Sequence, residues 1–339
     1  MKYNFCTLFD INYLSRGLAL YESLEAHCSS YHLYVFAFDD NVYSFFKENN
    51  FDNITVISLK EFENDQLLSV KKDRTTVEYC WTCTGATIQY CIETFSLDHC
   101  TYLDADLYFY ANPKVLLDEV DDGKVLITEH RYTKRYDQTK SSGKYCVQFI
   151  TFHNNEENMT VLRDWIGDCI NWCYARAEDG KFGDQKYLDY WMTKYDCIHE
   201  LKYLGGGLAP WNIQQYDLKL QNKQIVGSEK LKDNTFTVIF YHFHALKFLG
   251  NDLVNLAPYE LNQNIIDLVY KPYLNHILTV EHKYQRYLKK NQQHSSKNKL
   301  TFKYILKRIF SDKGLLIRVF KQKILETNNV YKIKELIGE

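Results

Sequence analysis

Proline and glycine are scarce in this chain, 4 and 14 among 339 residues, which argues against a linker-rich or disordered protein. No apolar run approaches the roughly 18 residues of a membrane-spanning helix. The first ten residues carry neither an apolar stretch nor a small-residue cleavage site, so no signal peptide is expected. The 10 cysteines are too thinly spread for a disulfide scaffold, and the expected setting is reduced and cytoplasmic. Internal repeats and low-complexity segments are missing as well. The first 20 residues hold a single glycine, Gly17, so there is no early Gly-rich loop to cradle a triphosphate.

What the chain does have is aromatic side chains, 28 of them tyrosine, which suit stacking on bases and sugar rings. Its charge is uneven. From Val280 to Glu339 there are 15 Lys and Arg against 5 Asp and Glu, so this stretch carries +10 and the remainder −12. An acidic body with a basic tail points to an anionic surface as the tail's partner and to no nucleic acid.

The hydrophobic pattern alternates strand-like and helix-like segments. Strands are expected at Tyr3 to Phe9, His32 to Phe38, Ile54 to Leu59, Cys100 to Leu103, Lys124 to Thr128, Tyr145 to Phe152, Ile198 to Tyr203 and Phe236 to Phe243. Helices are expected at Tyr13 to Ala26, Val42 to Asn49, Thr76 to Phe95, Glu156 to Ala177 and Asp184 to Lys194. This order implies an α/β fold whose mostly parallel sheet is flanked by helices. Ligands of such sheets bind beyond the carboxyl ends of the strands, where Asp10 and Asp104 fall. Gly205-Gly206-Gly207 reads as a loop permitting close backbone approach. Past the polar stretch Ser295 to Lys299, short basic amphipathic helices are expected at 300–310 and 313–325.

Four stretches carry chemistry. Asp104-Ala105-Asp106 closes an apolar run, and in an extended strand both carboxylates point to one side. Two like charges held together need a cation between them, and a hard divalent ion completed by phosphate oxygens answers that need. Asp10-Ile11-Asn12-Tyr13 follows the first strand, where Asp10 can accept from a base N–H and Tyr13 can stack, although Asp10 or Asn12 can equally cap a helix. Tyr241-His242-Phe243-His244-Ala245-Leu246-Lys247 puts two histidines on one strand face ahead of a lysine, the pattern of a metal ligand with a phosphate contact. Asp184-Gln185 opens a helix, as a first-turn acid or as a carboxylate and amide offered to a sugar. Cys80-Trp81-Thr82-Cys83 has redox-motif spacing but lacks a preceding strand, and packing is the expected role.

In this order the four motifs resemble glycosyltransferase family 8, nucleotide-sugar transferases of the GT-A fold, over about 240 residues. The whole chain is also similar to a bacterial branch of nucleotide-diphospho-sugar transferases found with surface-polysaccharide genes. The resemblance implies a Rossmann-like mixed sheet over residues 1–278, with residues 279–339 as a basic helical extension. It implies that Asp10, Asn12 and Tyr13 hold the uridine and that Asp104, Asp106 and His242 bind Mn²⁺ or Mg²⁺ with the diphosphate. Lys247 would contact the phosphates, while Asp184 and Gln185 would face the donor sugar and the acceptor. The implied reaction is metal-dependent transfer from a UDP-sugar, with retention, to a glycan or lipid-linked acceptor in surface polysaccharide synthesis. The basic tail would then rest on the inner face of the membrane. Ala245 stands where the family has glycine, and Lys247 comes one residue early, so His244 competes with His242 as ligand. No cation on the helix before Asp104 matches the family's Arg or Lys. The rivals are a non-catalytic carbohydrate-binding protein and another sugar-nucleotide enzyme, and metal-dependent donor turnover separates them.

Overall fold

The computed structural model describes residues 2–120, 122–230, 232–250, 252–288 and 329–338. The basic helices expected at 300–310 and 313–325 lie outside the described residues. Two compact units are present, Met1–His242 and Phe243–Glu339. Among the described residues no helix is long and apolar enough to cross a membrane.

The first unit is built on a seven-stranded mixed sheet. Its strands are β1 (Tyr3–Phe9), β2 (Tyr31–Ala37), β3 (Ile54–Ser58), β4 (His99–Leu103), β6 (Val125–Glu129), β7 (Tyr145–His153) and β8 (Ile198–Glu200), while β5 (Leu107–Phe109) lies outside it. The spatial order is β3-β2-β1-β4-β7-β6-β8. The first four strands run parallel, and β7 is antiparallel to both of its neighbours. Strands β4 and all of β7 except its last residue are buried on both faces because helices cover the sheet, and they carry His99, Thr101, Gln148 and Thr151 among their apolar residues. Order reverses between β1 and β4, so Asp10 and Asp104 follow strands on either side of the crevice.

Several elements depart from the sequence pattern for identifiable reasons. The helix expected from Asp184 is a 3₁₀ turn, Gln185–Tyr190, followed by one α-helical turn, Trp191–Lys194. The Asp184 carbonyl accepts from the Trp165 indole at 2.9 Å. The helix Glu156–Asn171 stops six residues short of its expected end. Its last carbonyls are taken by side chains, Ile170 by Arg74 at 3.2 Å and Asp168 by Tyr187 at 3.2 Å. The strand expected at 236–243 divides into β11 (Thr235–Thr237) and β12 (Phe240–His242), which join different sheets. Between them Val238 N–H donates to Ile225 and Ile239 N–H to Gly205, so the chain changes partner. A hairpin of β9 (Tyr216–Gln221) and β10 (Gln224–Glu229) turns on Asn222 and Lys223, both in the left-handed region.

Helix Thr76–Thr94 opens with a capping box in which Thr75 and Glu78 satisfy each other's backbone N–H groups. Cys80 and Cys83 both lie inside it, and burial pushes both thiols up, so neither is an activated redox thiol. Cys6, Cys91 and Cys100, from β1, this helix and β4, bring their sulfurs within 4.8 Å of one another deep in the core.

The second unit pairs β13 (Lys247–Gly250), β14 (Leu253–Asn255) and β15 (Val330–Lys332) antiparallel. The stretch 279–339, expected as an extension, thus contributes a strand to the unit that begins at Phe243. Phe243 stacks on Tyr273 at 3.7 Å between ring centres, and Leu274, Ile277 and Val280 of helix Lys271–Lys283 complete a buried stripe. Ala245 sits at φ 62°, a conformation that favours glycine. Ala245→Gly should therefore stabilise the folded chain by up to about 1 kcal/mol, the relief of left-handed strain less the added chain entropy. Urea unfolding followed by fluorescence checks this.

Candidate functional site

The site is built where β4 ends. Asp104 N–H donates to the Gln148 carbonyl on β7 at 3.0 Å, and Leu107 N–H donates to the Asp104 carbonyl at 3.1 Å. That second bond closes a turn over Ala105 and Asp106, after which β5 begins. The two carboxylates therefore converge through a turn, not through strand alternation. β5 pairs antiparallel with β12, and Leu107 stands opposite His242. This places the imidazole beside the acidic pair: Nε2 lies 3.1 Å from Asp106 Oδ1 and 3.7 Å from Asp104 Oδ2.

The other ring nitrogen, Nδ1, lies 2.7 Å from Gln148 Oε1. A carboxamide oxygen only accepts, so Nδ1 carries the proton and Nε2 is the atom turned to the carboxylates. Trp211 packs edge-on against the same ring at 5.3 Å. Gln148 is fully buried, and its Nε2 has no hydrogen-bond partner. A Cβ on Gly207, at φ 92°, would come within 2.8 Å of Thr128 and 3.2 Å of that nitrogen, so only glycine fits there.

One electrostatic field joins several expected residues. Burial, reinforced by Asp106 and opposed by His242, pushes Asp104 up to about 6. Asp184 is buried and pushed up to about 7, by burial first and then by the charge of Asp104. Tyr13 is pushed up to about 12, chiefly by Asp106. For His242, burial acts downward, but Asp106, Cys146 and Asp104 outweigh it and hold the imidazole well above its ordinary range.

The remaining expected residues fall as follows. Asp10 caps the 3₁₀ turn Ile11–Tyr13, its two carboxylate oxygens accepting from Asn12 N and Asn12 Nδ2 at 3.0 Å each. Tyr13 leaves 41% of its surface exposed, and the Arg16 guanidinium lies 4.6 Å from its ring centre. Gln185 Nε2 donates to the Ser142 carbonyl at 2.6 Å, which fixes the amide. His244 and Lys247 belong to the second unit. Three contributors were missed: Gln148, Cys146 and Arg16. Cys146 and Gln148 are two apart on β7 and share a face, and Cys146 meets the imidazole. Asp104, Cys146 and His242 offer ligand atoms all within 4.8 Å of one another. The alternation Tyr145, Val147 into the core, with Cys146 and Gln148 opposite, was the available signal.

A divalent cation fits this donor set. Two carboxylates and an imidazole nitrogen converge, and Asp104 keeps 29% of its side chain open to solvent.

No family model matches the chain. It is 27% identical over 281 residues to the uncharacterized protein YfnD of Bacillus subtilis (strain 168), covering 80% of this chain and 88% of that protein. It is 26% identical over 254 residues to YfnF of the same organism, covering 73% and 82%. Among solved structures it is similar to the galactosyltransferase LgtC in complex with donor and acceptor sugar analogs, at 12% identity and TM-score 0.48, covering 81% of this chain and 95% of that one. It is also similar to the glycosyltransferase GlyE of Streptococcus pneumoniae TIGR4 in its apo form, at 15% identity and TM-score 0.48, covering 84% and 64%. In another structure of GlyE the matched part spans 45% of that chain's length.

The raised Asp184 carboxyl has a thermodynamic consequence. Between its ordinary 3.8 and about 7 the folded chain holds a proton that the unfolded chain has lost, so this group's effect is to lower stability as pH rises through that window. Asp184→Asn should raise the thermal midpoint at pH 8 and leave it unchanged at pH 3.5. Calorimetric scans of both proteins at the two pH values check this.

Proposed function

We propose that this chain is a metal-dependent glycosyltransferase of the GT-A kind, acting on a UDP-sugar as donor. The observation that carries the reading is the convergence of His242 with Asp104 and Asp106, delivered by the β5–β12 pairing from distant parts of the sequence. The motif series from Asp10 to Lys247 supports it.

Each residue has a role in this reading. A divalent ion, Mn²⁺ or Mg²⁺, would supply positive charge where the nucleoside diphosphate departs. Asp104 and Asp106 would hold the ion, which would in turn neutralise the diphosphate. His242 offers Nε2 in a tautomer kept by Gln148. The exposed Tyr13 ring gives the uracil a face to stack on, and Asp10 and Asn12 border it. Asp184, pushed up to about 7, can donate or accept a hydrogen bond to a sugar hydroxyl near neutral pH. Gln185, fixed on Ser142, lines the sugar position. The resemblance assigns Lys247 a contact with the phosphates. Retention of configuration follows from the resemblance, and a front-face displacement needs no strong base. The acceptor is a glycan or lipid-linked sugar at the cytoplasmic face of the membrane, toward which the basic tail draws the chain.

The decisive experiment is a screen of nucleotide sugars with Mn²⁺ for nucleoside diphosphate release. UDP-sugars should be turned over in preference to GDP-sugars. Chelator should abolish release, and Mn²⁺ should restore it. Asp104→Ala and Asp106→Ala should each lower kcat by about a hundredfold or more. Unchanged release in excess chelator would sink the reading. The tail is tested separately: the full chain should co-sediment with anionic vesicles at low salt and detach as salt is raised.

A further inference from the structure

We propose that Cys146 is a fourth protein donor at the cation site, through which thiophilic ions such as Zn²⁺ and Co²⁺ bind in a closed form distinct from that of Mn²⁺ or Mg²⁺. The ligand assignment stands on geometry alone, and its consequence for turnover rests on the transferase reading above.

The argument begins with distances. Cys146 Sγ, a carboxylate oxygen of Asp104 and an imidazole nitrogen of His242 lie within 4.8 Å of one another, and Asp106 Oδ1 lies 3.1 Å from His242 Nε2. A tetrahedral ion with bonds of about 2.0–2.3 Å sets its donors about 3.3–3.8 Å apart. Asp104, Cys146 and His242 therefore need to close by about 1–1.5 Å at most, and Asp106 joins them through its contact with the His242 imidazole. Cys146 is also correctly faced. Tyr145 and Val147 on either side of it belong to the core cluster, whereas Cys146 stands outside it, against the imidazole. Its burial, at 4% exposed, shields a sulfur–metal bond from water.

The donor chemistry then separates two classes of ion. Mn²⁺ and Mg²⁺ prefer oxygen, so Cys146 stays a thiol and the ion keeps positions for water and diphosphate oxygens. Zn²⁺ and Co²⁺ accept sulfur readily. On binding, the Cys146 S–H bond breaks, the sulfur–metal bond forms, and the proton leaves to solvent. Two carboxylates, one thiolate and one imidazole complete a four-coordinate sphere with no position left for a ligand, the arrangement of structural zinc sites. Such an ion competes with nucleotide binding.

The test uses the full chain, stripped of metal and loaded with one equivalent of Co²⁺. A sulfur-to-cobalt charge-transfer band in the near ultraviolet is expected in the unaltered chain and absent in Cys146→Ser. It should persist in Cys91→Ser, which breaks the separate buried trio of thiols. Zn²⁺ affinity should fall about tenfold or more in Cys146→Ser, while Mn²⁺ affinity should change by less than about threefold. X-ray absorption of the Zn²⁺-loaded unaltered chain needs no variant and should show a single sulfur at about 2.3 Å among oxygen and nitrogen neighbours. Co²⁺ bound without the band, a band that survives Cys146→Ser, a zinc shell without sulfur, or one with three sulfurs would each overturn the proposal. Turnover of a UDP-sugar with Mn²⁺ in a chain that shows no thiolate band would leave the transferase standing and remove this inference alone. A thiolate band without turnover of any nucleotide sugar would do the reverse.

Discussion

The pairing of β5 with β12 is the constraint on which the site depends, because it places His242 opposite Leu107, next to Asp106. The ladder is only three residues long on each side, so packing has to hold it. Phe240 meets Phe109 edge-on at 5.8 Å and stacks on Phe149 of β7 at 5.4 Å. The approach to β12 is fixed by Gly205, whose carbonyl accepts from Ile239 at 2.9 Å. A side chain at Gly205 would run into the Thr237 carbonyl, so the close approach expected of the triple-glycine loop is made to the chain's own backbone. A loop that carries no reactive group thereby sets where the imidazole stands.

That arrangement gathers more negative than positive charge. Asp104, Asp106 and Asp184 share a partly buried region in which the described cationic groups are the His242 imidazole and, beside Tyr13, Arg16. Burial first, and the neighbouring carboxylate charge after it, pushes both Asp104 and Asp184 up. A fold gains nothing in stability by this, since like charges removed from water repel and lose solvation together. The cost is recovered only when something positive binds the folded form, which links cation binding to stability by mass action. The same imbalance explains why Tyr13, about ninety residues or more from any of these acids in sequence, feels Asp106 more strongly than it feels Arg16.

The parallel half of the sheet was legible because its strands and helices obey local periodicity. β1, β3 and helix Thr76–Thr94 fall within a residue or so of the pattern. The acidic pair was legible because charge at the end of an apolar run stands out. What escaped was decided by contacts across long separations. The 3₁₀ turn after Asp184 follows from the Trp165 indole taking a carbonyl, and the division of 236–243 follows from partners at Ile225 and Gly205. The hairpin on Asn222 carried a local turn signal and β9 alternates Tyr216, Leu218 and Leu220 with polar residues, but β10 alternates weakly, and the pair escaped. Cys146 and Gln148 escaped for a different reason. A thiol and an amide inside a buried strand look like packing until the neighbour they meet, His242, is known.

Gln148 shows how the site keeps one protonation pattern. Were its amide reversed, the NH₂ group would face His242 Nδ1, the imidazole would hold its proton on Nε2, and a neutral ring would donate to Asp106. That arrangement suits a site that never binds a cation, because Nε2 would have no lone pair to give. With Oε1 facing Nδ1 at 2.7 Å, Nε2 can carry a proton toward Asp106 or give it up and offer its lone pair in the same direction. The orientation leaves Gln148 Nε2 buried without a partner, a cost of about 1–3 kcal/mol. Attraction between a protonated His242 and the two carboxylates offsets it, and under the proposed function ligation to a cation would do so in turn. The unsatisfied amide and the raised imidazole thus both follow from turning one nitrogen toward the close carboxylates.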